Sequence, residues 1–140
     1  VVIFFLFHEL GHALTDIYQL SVRGPEEDLA DYFSIYLLST GNDVLKQTAL
    51  DGADMFYEYS KRMENMPAYR LPLWDVHSLD KQRFYNICCL MYGSDPNTYG
   101  YFVTKNLVRE DAAGSCEYEY QRVITSWQKD LSFYMQTPAK

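Results

Sequence analysis

The chain has 140 residues, 48% of them apolar, with 13 Tyr and 8 Phe. That is enough apolar material for the packed core of one domain and argues against an intrinsically disordered chain. The formal net charge of −7 argues against a nucleic-acid partner, whose phosphates call for a basic face.

In chain order, the opening apolar run Val1 to Phe7 is too short to span a membrane. It lacks the basic flank and cleavage site of a signal peptide. It leads straight into His8-Glu9-Leu10-Gly11-His12. The pattern over residues 2–20 predicts one helix, apolar nearly all round at its start, as in a central helix. A chain that opens inside a core helix is expected to have lost upstream sequence, including any signal peptide and any strand before that helix. Gly24 and Pro25 mark a loop. Pro25 followed by Glu26, Glu27 and Asp28 starts a second helix, which Gly41-Asn42 ends after Ser39.

A third helix is expected over residues 43–63, then a loop over 65–77 punctuated by Pro67 and Pro72. Ser78 is placed to cap a fourth helix over 79–92. Residues 93–97 read as a turn, and 99–108 as either a short helix or irregular chain. A last helix covers 115–135. No repeat or linker interrupts the chain, so residues 1–140 read as a single, mainly α domain, N-terminally truncated.

The H-E-L-G-H segment carries the chemistry. On a helix, positions i and i+4 share a face, so His8 and His12 can point at one ion. Zinc suits two neutral imidazoles plus a carboxylate, with a position left for water. Glu9, one residue on, can border the ion without binding it and take a proton from that water. The third ligand is expected on the next helix, where Glu27 and Asp31 share a face. Ala30 beside them is small enough for close packing. One acid can bind metal while the other accepts the second N–H of a ligand histidine. Glu27 is the first choice, with Glu26 and Asp31 as substitutes. A solvated acidic helix start accounts for Glu26 and Asp28, but not for Asp31 in the second turn.

Adjacent Cys88 and Cys89 point to different sides of a helix, so at most one can face Cys116. One disulfide with one buried thiol, or three reduced buried thiols, both fit. No C-x-x-C pair supports a cysteine zinc site.

Glu27-Asp28-Leu29-Ala30-Asp31 resembles the E-x-x-A-D element that follows H-E-x-x-H in gluzincin peptidases. The resemblance implies that Glu27 is the third zinc ligand and that Asp31 orients a histidine. It continues through Trp74-Asp75-Val76-His77-Ser78-Leu79-Asp80, Gln82-Arg83-Phe84-Tyr85-Asn86, Tyr92-Gly93-Ser94-Asp95-Pro96 and Cys116-Glu117-Tyr118-Glu119. Together these segments resemble a bacterial family of metallopeptidase-like proteins that carries a domain-of-unknown-function label. The resemblance implies a zincin-like, gluzincin-type helical domain lacking an upstream β-strand region, a Zn2+ cofactor and a peptide or protein substrate. It also implies a Cys89–Cys116 disulfide and a secreted or periplasmic setting. The family's activity is itself inferred from the zinc motif, so it informs fold and metal more than substrate.

Peptide hydrolysis develops an oxyanion that a second donor can steady. His77 is the candidate, oriented by Asp75; the bland alternative is a loop histidine capping the next helix. Arg83 and Tyr85 are weaker candidates, and Arg83 is expected to anchor a carboxylate such as Asp80. Trp74, Trp127 and the stripe Tyr118, Val123, Ile124 and Leu131 read as core. The lysines are too scattered for an anion groove, and the methionines form no copper cluster. The expected activity is metal-assisted hydrolysis of a peptide bond with Glu9 as general base. The rivals are an inactive zinc-binding module, a hydrolase acting on another amide, and a partner-sensing regulator.

Overall fold

The computed structural model describes residues 1–21, 24–75 and 78–135. Among them are six α-helices and no strand: α1 (Val2–Tyr18), α2 (Glu26–Ser39), α3 (Asp43–Ser60), α4 (Asp80–Ser94), α5 (Tyr101–Thr104) and α6 (Ala113–Met135). Short 3₁₀ turns cover Lys61–Met63, Ala68–Arg70 and Glu110–Ala112. The mainly α expectation therefore holds among the described residues, with boundaries shifted by local chemistry. α1 stops at Tyr18 because Gln19 turns left-handed (φ 50) and its N–H returns to Asp16 and Thr15. Three acids in the first turn of α2 meet the positive end of its dipole. The side chain of Asn42 caps α3 by accepting from Leu45 N–H at 3.1 Å.

Two local expectations fail. Ser78 does not cap α4: Leu79 holds the cap position without a side-chain bond, and Ser78 Oγ donates to Asp28 Oδ2 at 3.0 Å instead. Gly93 and Ser94 belong to α4 rather than to the turn after it. There α4 lies against α6, where a Cβ on residue 93 would run into the Cys116 carbonyl. Only glycine allows that approach. The Cys89–Cys116 disulfide bridges the same two helices, leaving Cys88 buried and free. Burial, and then the charge of Asp54, pushes the Cys88 thiol up to about 12, which keeps it protonated and inert.

α1 packs on α2, α2 and α4 on α3, and α4 on α6. Phe4, Phe33, Phe56, Ile35, Leu38, Ile87, Met91 and Trp127 fill the space between them. Each such side chain contributes roughly 1.5–3 kcal/mol by leaving water. Val123, Ile124 and Trp127 are buried and Leu131 packs on this core, as expected. Trp74 and Tyr118 are not core: they are 78% and 65% exposed. Tyr118 sits on the outer side of α6, and Trp74 lies in a turn before α4, closed by the Asp75 N–H donating to the Pro72 carbonyl. α1 is not buried all round either. Phe4, His8, Gly11 and Thr15 form its buried face, while Val2, Leu6, Leu10 and Ile17 on the far side are exposed.

The α1–α2 contact sets the site. A Cβ on Gly11 would lie 3.1 Å from both Ala30 Cα and Phe33 Cβ. Glycine and alanine at the crossing let the two backbones approach closely. The side chains of His8 and His12 then meet the first turns of α2. Ser34 Oγ donates to the Phe4 carbonyl at 3.1 Å and ties the same pair together one turn away.

Candidate metal centre

His8 and His12 leave α1 one turn apart, as the i, i+4 spacing requires. Asp31 Oδ1 accepts the His8 Nδ1–H at 2.9 Å. Glu26 Oε1 accepts the His12 Nδ1–H at 2.7 Å. An ionised carboxylate only accepts, so each bond places a ring proton on Nδ1, and in the neutral imidazole that leaves a lone pair on Nε2. The two Nε2 atoms face each other at 3.2 Å. Glu27 closes the triangle, with Oε2 at 3.2 Å from His8 Nε2 and Oε1 at 3.5 Å from His12 Nε2. His8, His12 and Glu27 form the one group among the described residues whose donor atoms converge this way.

With both rings neutral, two lone pairs and a carboxylate face one another, an arrangement that a cation among them would relieve. Ligand atoms about 2.0–2.1 Å from a tetrahedral zinc ion are roughly 3.3 Å apart, which is close to the separation of the two Nε2 atoms and to the distance from each to its nearer Glu27 oxygen. The donor set of two imidazoles and one carboxylate suits zinc, leaving a fourth position open. Partial burial lowers the pKa of His12, but the hydrogen bond to Glu26 and the charges of Glu27 and Glu26 outweigh it, so the net shift is upward.

Asp31 is itself clamped. Arg83 Nε donates to its Oδ2 at 2.7 Å and Nη2 to its Oδ1 at 2.8 Å. The guanidinium lies over the Phe56 ring, 4.0 Å from its centroid. The partner of Arg83 is thus Asp31, not Asp80, because α4 crosses α2 at that point.

A cleft of about 810 Å³ opens over this cluster, lined by Phe5, His8, Glu9, His12, Pro25, Glu26, Glu27, Asp75 and Arg83. Glu9 is exposed on its rim, turned away from the buried face of α1. Of the residues singled out from sequence, the fold brings together His8, Glu9, His12, Glu27, Asp31, Asp75 and Arg83. Tyr85 is 41% exposed and does not line the cleft. His77 lies outside the described residues, and so does any pairing of it with Asp75.

Two functional features escaped the sequence reading. Glu26, besides its place in the acidic start of α2, accepts the His12 Nδ1–H. Its adjacency to Glu27 at the helix start was the available signal, since consecutive acids there can serve two histidines. The Arg83 clamp had no sequence signal, because it depends on where α4 crosses α2.

Residues 1–131 match the model of the DUF4344 family, described as "Putative metallopeptidase". The chain belongs to the DUF4344 family. Its H-E-x-x-H pair and Glu27 are thus placed together in a DUF4344 chain by the α1–α2 contact. No curated protein and no solved structure matches the chain.

Proposed function

We propose that this DUF4344 chain is a zinc-dependent hydrolase, a metallopeptidase of gluzincin type, with His8, His12 and Glu27 as metal ligands and Glu9 as general base. The observation that carries the reading is the convergence of both Nε2 atoms and the Glu27 carboxylate, with each Nδ1 held by a carboxylate. A zinc ion there would supply Lewis acidity, polarising a scissile carbonyl and lowering the pKa of a coordinated water.

The chain's own residues do the rest. Asp31 and Glu26 hold the two imidazoles in the tautomer that offers Nε2 and raise their basicity. Glu9, on the cleft rim beside both histidines, takes the proton of the attacking water. It returns that proton to the leaving amine when the C–N bond breaks. His77 remains the candidate for steadying the oxyanion, with Asp75 orienting it. The open cleft and an exposed Glu9 favour turnover over a sealed, structural metal site. The substrate is a peptide or protein. The Cys89–Cys116 bridge supports a secreted or periplasmic setting, since such bonds persist in oxidising compartments. No helix among the described residues is long and apolar enough to cross a membrane.

The test is bound zinc by elemental mass spectrometry, with a peptide-library screen, on wild type, Glu27→Ala and Glu9→Gln. Wild type should carry one zinc per chain and Glu27→Ala should lose most of it. Glu9→Gln should keep zinc and lose turnover by on the order of 10²–10⁴-fold. Full activity in metal-replete Glu9→Gln would refute the base assignment. Zinc without any turnover in wild type would favour an inactive zinc-binding module.

A further inference from the structure

Between α3 and α4 the chain stands off the core. Residues 64–70 are all exposed, and Tyr69, Leu73 and Trp74 are 75%, 66% and 78% exposed. Single apolar side chains on a surface need no explanation, whereas several in one short segment do.

The segment is held in shape by its own backbone. The Met66 N–H donates to the Met63 carbonyl at 3.0 Å, Arg70 to Pro67 at 2.8 Å, Leu71 to Ala68 at 3.2 Å and Asp75 to Pro72 at 3.0 Å. Pro67 and Pro72 fix their own φ angles. Consecutive tight turns therefore present these side chains, and little order has to be imposed when something binds them.

Cations accompany the aromatic rings. Arg62 lies over the Tyr59 ring, 4.7 Å from its centroid, and Arg70 over that of Tyr69 at 5.8 Å. Lys61 lies over Tyr57 at 4.8 Å and also pairs with Glu58. Residues 65–74 hold Arg70 and no acid, in a chain of net charge −7. The sign of this segment is opposite to that of the whole chain.

We infer that residues 62–74 are a docking surface for a bilayer rich in anionic lipid. Tyr and Trp rings settle at the headgroup level, where an apolar body and a polar tip are both satisfied. Leu73 and Trp74 enter the apolar boundary while Arg62 and Arg70 meet lipid phosphates. The acidic remainder of the surface is repelled, which turns this segment toward the membrane, and that repulsion is screened over about 8 Å at physiological salt. A yielding surface suits side chains that stand out from turns, because it needs no matching pocket. None of these residues belongs to the His8–His12–Glu27 cluster, so the inference stands apart from the hydrolase reading. Asp75, next to Trp74, lines the cleft, so docking sets the cleft beside the membrane.

The test uses the full chain, with and without zinc, and vesicles of phosphatidylglycerol or of phosphatidylcholine. The chain has two tryptophans, and Trp127 is 2% exposed, so a change of emission on adding vesicles reports Trp74. With phosphatidylglycerol the emission should move to the blue, and lipid brominated in its acyl chains should quench it. Binding to phosphatidylcholine should be weaker by about tenfold or more. In cosedimentation Trp74→Ala should weaken binding by about tenfold and Arg70→Gln by about fivefold. Leu6→Gln, on the exposed apolar face of α1, should bind as wild type does.

Absence of binding to phosphatidylglycerol, or equal binding to both lipids, overturns the inference. So does binding that survives Trp74→Ala and is lost in Leu6→Gln. A wild type that sediments as a dimer and turns monomeric in Trp74→Ala would make the segment a contact between copies of the chain, and overturns it too. Should a variant fail to fold, wild type decides alone: no quenching by brominated phosphatidylglycerol sinks the proposal. Docking should be the same with and without zinc, so its failure leaves the metal site standing.

Discussion

The residues around the ligand triangle differ in what would follow their loss. Asp31 is buried, and it holds His8 and Arg83 at once. Asp31→Ala leaves a buried guanidinium unpaired and frees the His8 ring. We expect a loss of about 3–5 kcal/mol in unfolding free energy, measured by urea titration, with zinc affinity down by roughly 10–100-fold. Glu26 is more exposed and holds only His12, so Glu26→Gln should lower zinc affinity by roughly tenfold without a measurable change in the urea midpoint. A Glu26→Gln protein as zinc-poor as Glu27→Ala would show that Glu26 is a ligand. The motif made the meeting of His8 and His12 legible, because helical spacing alone puts two imidazoles on one face. The division of labour among the acids was less so. Glu26, Glu27 and Asp31 all sit within reach of a histidine, and only the rotation of α2 about its axis decides which carboxylate meets which nitrogen.

At the scale of elements, the crossing of α1 and α2 is the feature on which the site depends. Gly11→Ala adds a methyl group 3.1 Å from the Ala30 and Phe33 carbons. It should push the helices apart at a cost of about 1–3 kcal/mol. The same shift should weaken zinc binding although no ligand changes, which titration against a chromophoric chelator would detect. Leu6→Gln, on the exposed face of the same helix, should stay within about 0.5 kcal/mol of wild type. Equal effects of the two substitutions would show that α1 is not packed as described. Periodicity located α1 to α4 and α6 within a few residues because each carries a long helical pattern. It misjudged how much of α1 is covered, since an apolar run signals burial on every side while the neighbours of α1, chiefly α2, occupy one face. It likewise placed Trp74 and Tyr118 in the core by residue type, and the fold leaves both outside.

At the scale of the whole molecule, two links tie together parts that are distant in sequence. The Cys89–Cys116 bridge closes a loop of sequence separation 27, and its reduction should lower stability by about 2–4 kcal/mol. Thermal melts with and without a reductant that leaves zinc in place would check this. Zinc, if bound as proposed, joins α1 to α2. Stripping it with a chelator should lower the melting temperature in a way that depends on free ion concentration, by the equivalent of about 4 kcal/mol relative to a free concentration about a thousand times Kd. A melting temperature indifferent to chelator would count against the site.

By itself the sequence determined the helical class and the H-E-x-x-H face, because these follow from local periodicity and the spacing of side chains along one helix. The cysteine pairing came through family resemblance, since spacing alone allowed reduced thiols as well. Only the tertiary structure decided that Glu26 holds His12, that Arg83 clamps Asp31 and faces the cleft, and that one side of α1 is bare. Those facts depend on how helices far apart in the chain cross and rotate against one another, and no local pattern of residues encodes that geometry.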